Sequence, residues 1–388
     1  MARGNGEGTI YQRKSDGLWC GQVTIGTDPK TGKIKRKTFY GKRRKDVARK
    51  MNNLNHKLNT GTYIEPSDIT LLEWLNKWIE GRKASVSYST YRNYKVMIRN
   101  HIKPELGKIK LKDLTARQVQ DLLNDKLENG KINDEGGLSA RTVKYIYTTI
   151  HAGLEQAIKE RIIPSNVCKA VEVPKSQREK KLHTWNKKQV QKFLNAAKEY
   201  KFYPLFYLAL NTGMRQGELL GLQWKDIDFN NKLVEVKRQI VRTDKGLIYK
   251  KVKTDSGNRV IPVTDEVISF LEEHKTEQEE YIEFLGEDVY QDDDLVGCSQ
   301  IGTPIDPRNL YRKFKKIIEE NKLPEIRFHD LRHTFATLYL EAGGDIIVLQ
   351  HILGHSSITV TIDTYSHITK DMLVNASKTI ENMFNIDE

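Results

Sequence analysis

A chain of 388 residues is long enough for two or three domains, each with its own core, which excludes a peptide or a single small module. With 64 Lys and Arg against 51 Asp and Glu the net charge is +13, and 38% hydrophobic with 30% charged residues describes folded domains rather than a disordered or membrane-embedded chain. No run reaches the ~18 apolar residues of a spanning helix and Met1 to Gly8 lacks an apolar signal core, so the expectation is a cytoplasmic protein, no membrane partner, and nucleic acid as the first partner to test.

The charge is graded along the chain. Residues 1–60 hold 15 Lys/Arg and 4 Asp/Glu, residues 61–180 hold 21 and 15, and residues 181–388 hold 28 and 32. Such a gradient is expected if the front modules grip phosphates while the last does something more local. Thr9 to Lys14 and Leu18 to Ile25 alternate as strands around the turn Ser15-Asp16-Gly17, and Ile34 to Tyr40 forms a third run. Val47, Met51, Leu54 and Leu58 then mark a helix whose other face is basic. Residues 1–60 therefore read as a three-stranded sheet plus one helix, able to enter a major groove, with Arg13, Lys14, Lys35, Arg36 and Lys37 as candidate DNA contacts. A merely solvated basic face is the alternative.

Residues 61–69 read as a linker, since periodicity stops around Gly61 and Pro66. Residues 70–174 read as a helical bundle. Leu71, Trp74, Leu75 and Trp78 share one helical face, and Ser89 is the expected cap of a second helix running to His101 and ending before Pro104. Thr115 to Leu127 and Ser139 to Lys159 supply two more. Exposed Arg92, Lys95, Arg99, Arg141 and Lys144 suit a clamp across a duplex, and a charge-laced structural bundle fits them too. After a second linker, residues 175–181, residues 182–388 alternate helices with one β patch: Val234 to Val241, Leu247 to Val252 and Arg259 to Val263. Asp265 to Leu285 reads as an acidic helix. The fold class is thus multidomain and mainly α with small β-sheets. Cys20, Cys168 and Cys298 are too far apart for a metal or redox motif and read as buried small hydrophobes.

Three segments of the last domain carry chemistry. In Thr212-Gly213-Met214-Arg215 an arginine follows a glycine after the apolar run Phe202 to Leu210, with Glu218 one turn on to orient it. In His329-Asp330-Leu331-Arg332-His333 the first histidine and the arginine share a helical face and can touch one phosphate. The third segment runs from Leu353-Gly354-His355 to Tyr365-Ser366-His367. His351 and His355 form an H-x-x-x-H pair, but no glutamate of a zinc-hydrolase helix accompanies them and no third ligand is evident, so neither metal nor other cofactor is expected.

Taken together these residues resemble the tyrosine recombinases, specifically phage and mobile-element integrases, over essentially the whole chain. The resemblance implies an active site of Arg215, Lys253 in Lys-Thr-Asp-Ser-Gly, His329, Arg332, His355 and the nucleophile Tyr365. It also implies an arm-binding module in residues 1–60, a core-binding module in 70–174 and a mixed α+β catalytic domain in 182–388. Two arginines suit such chemistry because guanidinium forks hold phosphate oxygens bidentately at any physiological pH. The implied reaction is strand cleavage through a 3′-phosphotyrosyl link and a Holliday junction, which conserves bond energy and needs neither ATP nor metal. The implied partners are double-stranded DNA at core and arm attachment sites, a homotetramer assembled on it, a directionality factor and a host DNA-bending protein. Met372, Leu373, Ala376, Ile380, Met383 and Phe384 form an apolar stripe that docks on its own subunit or on a neighbour. A type IB topoisomerase and a noncatalytic DNA-binding regulator are the competing readings.

Overall fold

The computed structural model describes residues 8–27, 31–61, 63–65, 67–132, 134–175, 183–252, 257–286 and 288–365. They fall into two compact units, Met1–Arg178 and Glu179–Glu388.

The first unit opens with an antiparallel sheet in the order β1 (Thr9–Gln12), β2 (Trp19–Thr27), β3 (Ile34–Gly41), bulged at Thr24/Gly26, followed by α1 (Arg44–Asn59). Val23, Val47, Met51 and Leu54 are buried between sheet and helix, and Tyr63 packs against them from the segment expected to be a linker. Strand alternation divides the basic candidates. Lys35 and Lys37 share the parity of Phe39, on the face packed against α1, where Lys35 pairs with Glu65 (3.1 Å) and Lys37 lies over the Tyr63 ring. Arg36 has the opposite parity, that of Tyr40, whose ring carries the Arg13 guanidinium 5.2 Å from its centre.

The bundle that follows consists of α2 (Leu71–Gly81), α3 (Tyr88–Met97), α4 (Lys103–Leu106), α5 (Ala116–Asn129) and α6 (Ala140–Lys159). The structure shows its caps: Thr70 and Thr115 form reciprocal boxes with Glu73 and Gln118, and Ser139 caps α6. Trp74 donates its indole N–H to Gly153 O (2.8 Å), and a Cβ on Gly153 would lie 2.3 Å from Leu75, so the glycine permits the close approach of α2 and α6. Two expectations are corrected. Ser87, not Ser89, caps α3. The helix also does not end before Pro104: a π-turn over Ile98–Ile102 bonds the Lys103 N–H to Ile98 O, and the wider turn carries the chain past a proline that has no N–H to give.

The second unit contains α7 (Lys187–Ala197), α8 (Tyr203–Thr212), α9 (Gln216–Leu220), strands β4 (Ile227–Asp228), β5 (Leu233–Val236), β6 (Arg238–Thr243), β7 (Gly246–Lys251) and β8 (Arg259–Pro262), then α10 (Asp265–Leu285), α11 (Pro307–Glu320), α12 (Asp330–Glu341), α13 (Ile346–Leu353) and α14 (Ile358–Tyr365). Its core stacks Trp185, Phe193, Phe206, Phe314 and Phe328. Trp185 donates its indole N–H to Pro324 O and its backbone N–H to Thr334 Oγ1, tying the start of this unit to α12.

The expected single β patch is two sheets, β4-β5-β8 and the hairpin β6-β7. The run Val234 to Val241 breaks at Lys237, because Lys237 and Arg238 both turn toward the buried Asp226 carboxylate. Cys20 and Cys168 are buried as expected, whereas Cys298 is half-buried and contacts the Tyr290 hydroxyl (3.2 Å). Among the described residues no single helix is long and apolar enough to cross a membrane. Lys253 and the apolar stripe from Met372 to Phe384 lie outside the described residues.

Candidate active site

The site begins where α8 stops. Gly213 takes a left-handed conformation (φ 63°), and a Cβ there would meet Phe335 at 2.5 Å, so both backbone and space call for glycine. The turn buries Met214 and makes Arg215 the residue that opens α9. Glu218 reaches back to accept the Arg215 backbone N–H (2.9 Å) and its guanidinium (2.7 Å), as the spacing predicts.

A second partner of Glu218 is not legible in sequence: its Oε2, which takes the Arg215 backbone N–H, also accepts from Arg259 Nη2 at 2.8 Å, in a pair whose side chains are 1% and 3% exposed. Arg259 was absent from the candidates. Its signal was parity, since β8 points Arg259 inward together with Ile261. Burial pushes the Glu218 carboxyl up, but the hydrogen bond and charge of Arg259 and the charge of Arg215 overcome this and hold it at about 2.

Three guanidiniums converge on the C-terminal end of α13. The last carbonyls of a helix have no partner within it and carry partial negative charge. Here Ile352 O accepts from Arg259 Nε (2.5 Å), Leu353 O from Arg332 Nη2, and Gly354 O from Arg215 Nη2 (3.0 Å). Gly354 ends the helix in the left-handed region (φ 63°), which turns its carbonyl toward Arg215. Arg332 also donates to Gly213 O (2.8 Å), so one side chain ties the ends of α8 and α13 together. Burial, with Arg215 and Arg259 nearby, pulls the Arg332 guanidinium down to about 9, still cationic at neutral pH. Three arginines against the Glu218 carboxylate leave a strongly positive cluster, of which Arg215, 37% exposed, is the solvent-facing member. This is the electrostatics of an oxyanion or phosphate site.

The histidines and the tyrosine complete it. His329 opens α12, three residues before Arg332, and its ring meets His333 edge-on at 5.2 Å. His355 Nδ1 lies 2.9 Å from the buried Thr361 hydroxyl; with Nδ1 accepting, Nε2–H becomes a donor. Burial and the arginine charges push His355 down to about 3. Burial, His333 and the arginines push His329 down to about 4, although part of that residue faces solvent and is screened there. Tyr365 is fully buried against Ala336, Leu340, Leu349 and Leu353, and its hydroxyl bonds His333 Nδ1 at 2.8 Å. Burial holds the phenol well above its ordinary value despite Arg332. Sequence reasoning placed Tyr365 and passed over His333 and Thr361.

These shifts predict an acid response. The folded His355 resists protonation that the unfolded chain accepts below its ordinary value of 6.5, so stability present above pH 6.5 is lost as pH falls from 6.5 toward 3. His355 alone contributes a slope of about 1.4 kcal/mol per pH unit. Urea unfolding between pH 7 and 4.5 is expected to show the midpoint falling with acid, with a shallower slope in His355→Gln; equal slopes would show that His355 is not held neutral.

Five of the six expected site residues, Arg215, His329, Arg332, His355 and Tyr365, thus gather at one positive cluster, and Lys253 follows the end of β7 outside the described residues. In the first unit Arg13, Lys14, Arg36, Arg92, Lys95, Arg99, Arg141 and Lys144 are exposed, Lys95 in an ion pair with Glu80 (3.0 Å), while Lys35 and Lys37 are half-buried.

Residues 184–372 match the model of the phage integrase family, and residues 70–127 that of the phage integrase N-terminal SAM-like domain. The chain is 32% identical to a tyrosine recombinase XerC-like protein of Caldanaerobacter subterraneus subsp. tengcongensis, over 97% of this chain and 99% of that one. Among solved structures, the Tn1549 transposon integrase in complex with transposon right end DNA covers 80% of this chain and 99% of its own at 24% identity and a TM-score of 0.66. A lambda integrase tetramer bound to a Holliday junction covers 94% and 96% at 23% identity and a TM-score of 0.55. A positive cluster with an enclosed tyrosine, carried by a chain that aligns with a tyrosine recombinase from end to end, places this protein in the phage integrase family of tyrosine-type site-specific recombinases.

Proposed function

We propose that this recombinase integrates and excises a phage or other mobile element, using Tyr365 as nucleophile. The observation that carries the reading is the enclosed Tyr365, whose hydroxyl bonds His333 Nδ1 and whose phenol feels the charge of Arg332, one of three clustered guanidiniums. Tyr365 Oη attacks the scissile phosphorus, a P–O bond to the phenol forms and the bond to the 5′ oxygen breaks, leaving a 3′-phosphotyrosyl link. Arg215 and Arg332 hold the nonbridging oxygens as charge builds, and His355 adds a donor; losing one such donor costs about 100- to 1000-fold in rate. Lys253, by family resemblance, protonates the departing 5′ oxygen. A 5′ hydroxyl from another strand then reverses the steps and releases the tyrosine.

The DNA-bound relatives support double-stranded DNA as the partner, acting in the bacterial cytoplasm. The lambda integrase tetramer on a Holliday junction supports exchange by four subunits. The basic first unit, with +11 in residues 1–60, is the element that grips arm and core sites; a directionality factor and a DNA-bending protein complete the scheme.

The test mixes the protein with DNA from its source, denatures rapidly and sequences the covalently attached fragments. A few discrete sites are expected. Scattered fragments would point to topoisomerase-like relaxation, and no adduct from folded, DNA-binding protein on nicked substrates would point to a noncatalytic regulator.

A further inference from the structure

Taking Tyr365 as the nucleophile, we infer that His333 is a further catalytic residue, the base that receives the tyrosine hydroxyl proton as the phenol attacks. A phenol with a reference pKa of ~10 does not ionise unaided at neutral pH, and burial makes ionisation harder still. Something must take the proton, and it must already touch the oxygen. His333 Nδ1 does so at 2.8 Å.

The neighbouring groups are unsuited. Arg332 is a cation whose guanidinium already donates to Gly213 O and Leu353 O, and it has no lone pair to offer. His329 touches the His333 ring edge-on, and His355 is engaged with Thr361. His333 itself is kept neutral by burial, with Arg332 and Arg327 acting in the same direction. In the tautomer with its proton on Nε2, a neutral imidazole facing a phenol that keeps its proton is an acceptor poised for transfer.

The surroundings also fit the product of that transfer. Asp330 lies three residues before His333 on the first turn of α12, is buried, and favours the protonated ring. Its carboxylate is fixed by the Arg327 guanidinium and backbone N–H (2.7–3.0 Å). The groups facing His333 are therefore Tyr365, His329, His355, Arg332, Arg327 and Asp330. In the step, the Tyr365 O–H proton moves to Nδ1 while Oη bonds phosphorus and the 5′ oxygen leaves. When a 5′ hydroxyl later attacks, the same imidazolium returns the proton to the departing tyrosine. Because His333 directly follows Arg332, the proton acceptor and a phosphate ligand are carried by adjacent residues of one helix.

The experiment measures single-turnover cleavage by full-length protein on a recovered site carrying a 5′-bridging phosphorothiolate, whose sulfur leaves without a proton. That substrate removes the need for an acid and isolates the base. His333→Asn replaces Nδ1 with an amide oxygen that accepts the tyrosine hydrogen bond but cannot hold its proton, and His333→Ala removes both. Both variants are expected to lose at least about 100-fold in rate, in the range typical of general-base removal, with DNA affinity retained in both and melting temperature retained in His333→Asn. Wild-type rate should level off above the imidazole's ionisation, whereas the Asn variant's rate should keep rising tenfold per pH unit as hydroxide makes tyrosinate. Wild-type rate in the Asn variant, or a slowed rate with an unchanged pH profile, overturns the inference and leaves His333 a positioning residue. Tyr365→Phe separates the two levels: if it still cleaves, the proposed nucleophile is wrong; if it is silent while His333→Asn is active, only the base assignment fails.

Discussion

Tyr365→Phe is expected to abolish the covalent protein–DNA adduct, by at least about 10⁴-fold, the scale on which a lost nucleophile reduces turnover, while DNA binding persists. The substitution removes one oxygen and keeps the ring that fills the space between Ala336, Leu340, Leu349 and Leu353. Among the described residues the bond lost is that to His333 Nδ1, and a hydrogen bond contributes about 1 kcal/mol net, so the variant stays folded. Denaturing gels of end-labelled DNA read the adduct directly. An adduct of wild-type yield from the Phe variant would show that another residue attacks.

Glu218→Ala is expected to destabilise the second unit by about 3–5 kcal/mol, as removal of one partner from a buried ion pair does. Glu218 and Arg259 are both buried, and Glu218 also anchors Arg215, so its loss leaves Arg215, Arg259 and Arg332 facing one another without their counter-charge. Urea unfolding of Glu218→Ala, Arg259→Leu and the double variant measures the coupling. The double variant should lose clearly less than the two single losses together, because it leaves no orphaned charge of the pair. A loss under about 1 kcal/mol in Glu218→Ala would mean that helix-end carbonyls and water already neutralise the cluster.

The parts of this site legible in sequence were those whose partners are near in sequence. Arg215 and Glu218 are three apart, and the capping geometry that joins them follows from the glycine before and the short helix after. Asp265 to Leu285 was drawn to its observed ends because Thr264 caps it and Gly286 stops it. The His333–Tyr365 bond spans 32 residues and two helices, and nothing local marks which of three nearby histidines meets the hydroxyl. Arg259 was visible only as a charge at an inward position, a signal that a short strand makes faint. The π-turn before Pro104 and the break at Lys237 were missed because each depends on what surrounds it: a single five-residue turn has no periodicity of its own, and Lys237 and Arg238 turn toward a carboxylate eleven and twelve residues earlier.

The end of α13 has an evolutionary consequence. Arg215, Arg259 and Arg332 each satisfy a carbonyl of Ile352, Leu353 or Gly354, so the fold needs them whether or not a phosphate ever arrives. Lysine is a poorer substitute there, since one ammonium lacks the planar fork that serves a carbonyl on one side and an anion on the other. A descendant that gave up DNA cleavage but kept this architecture would therefore be free to lose the Tyr365 hydroxyl and His333 while the buried ring and the arginines stayed. In such lineages the arginines report ancestry, and the tyrosine–histidine pair reports whether the protein still cuts.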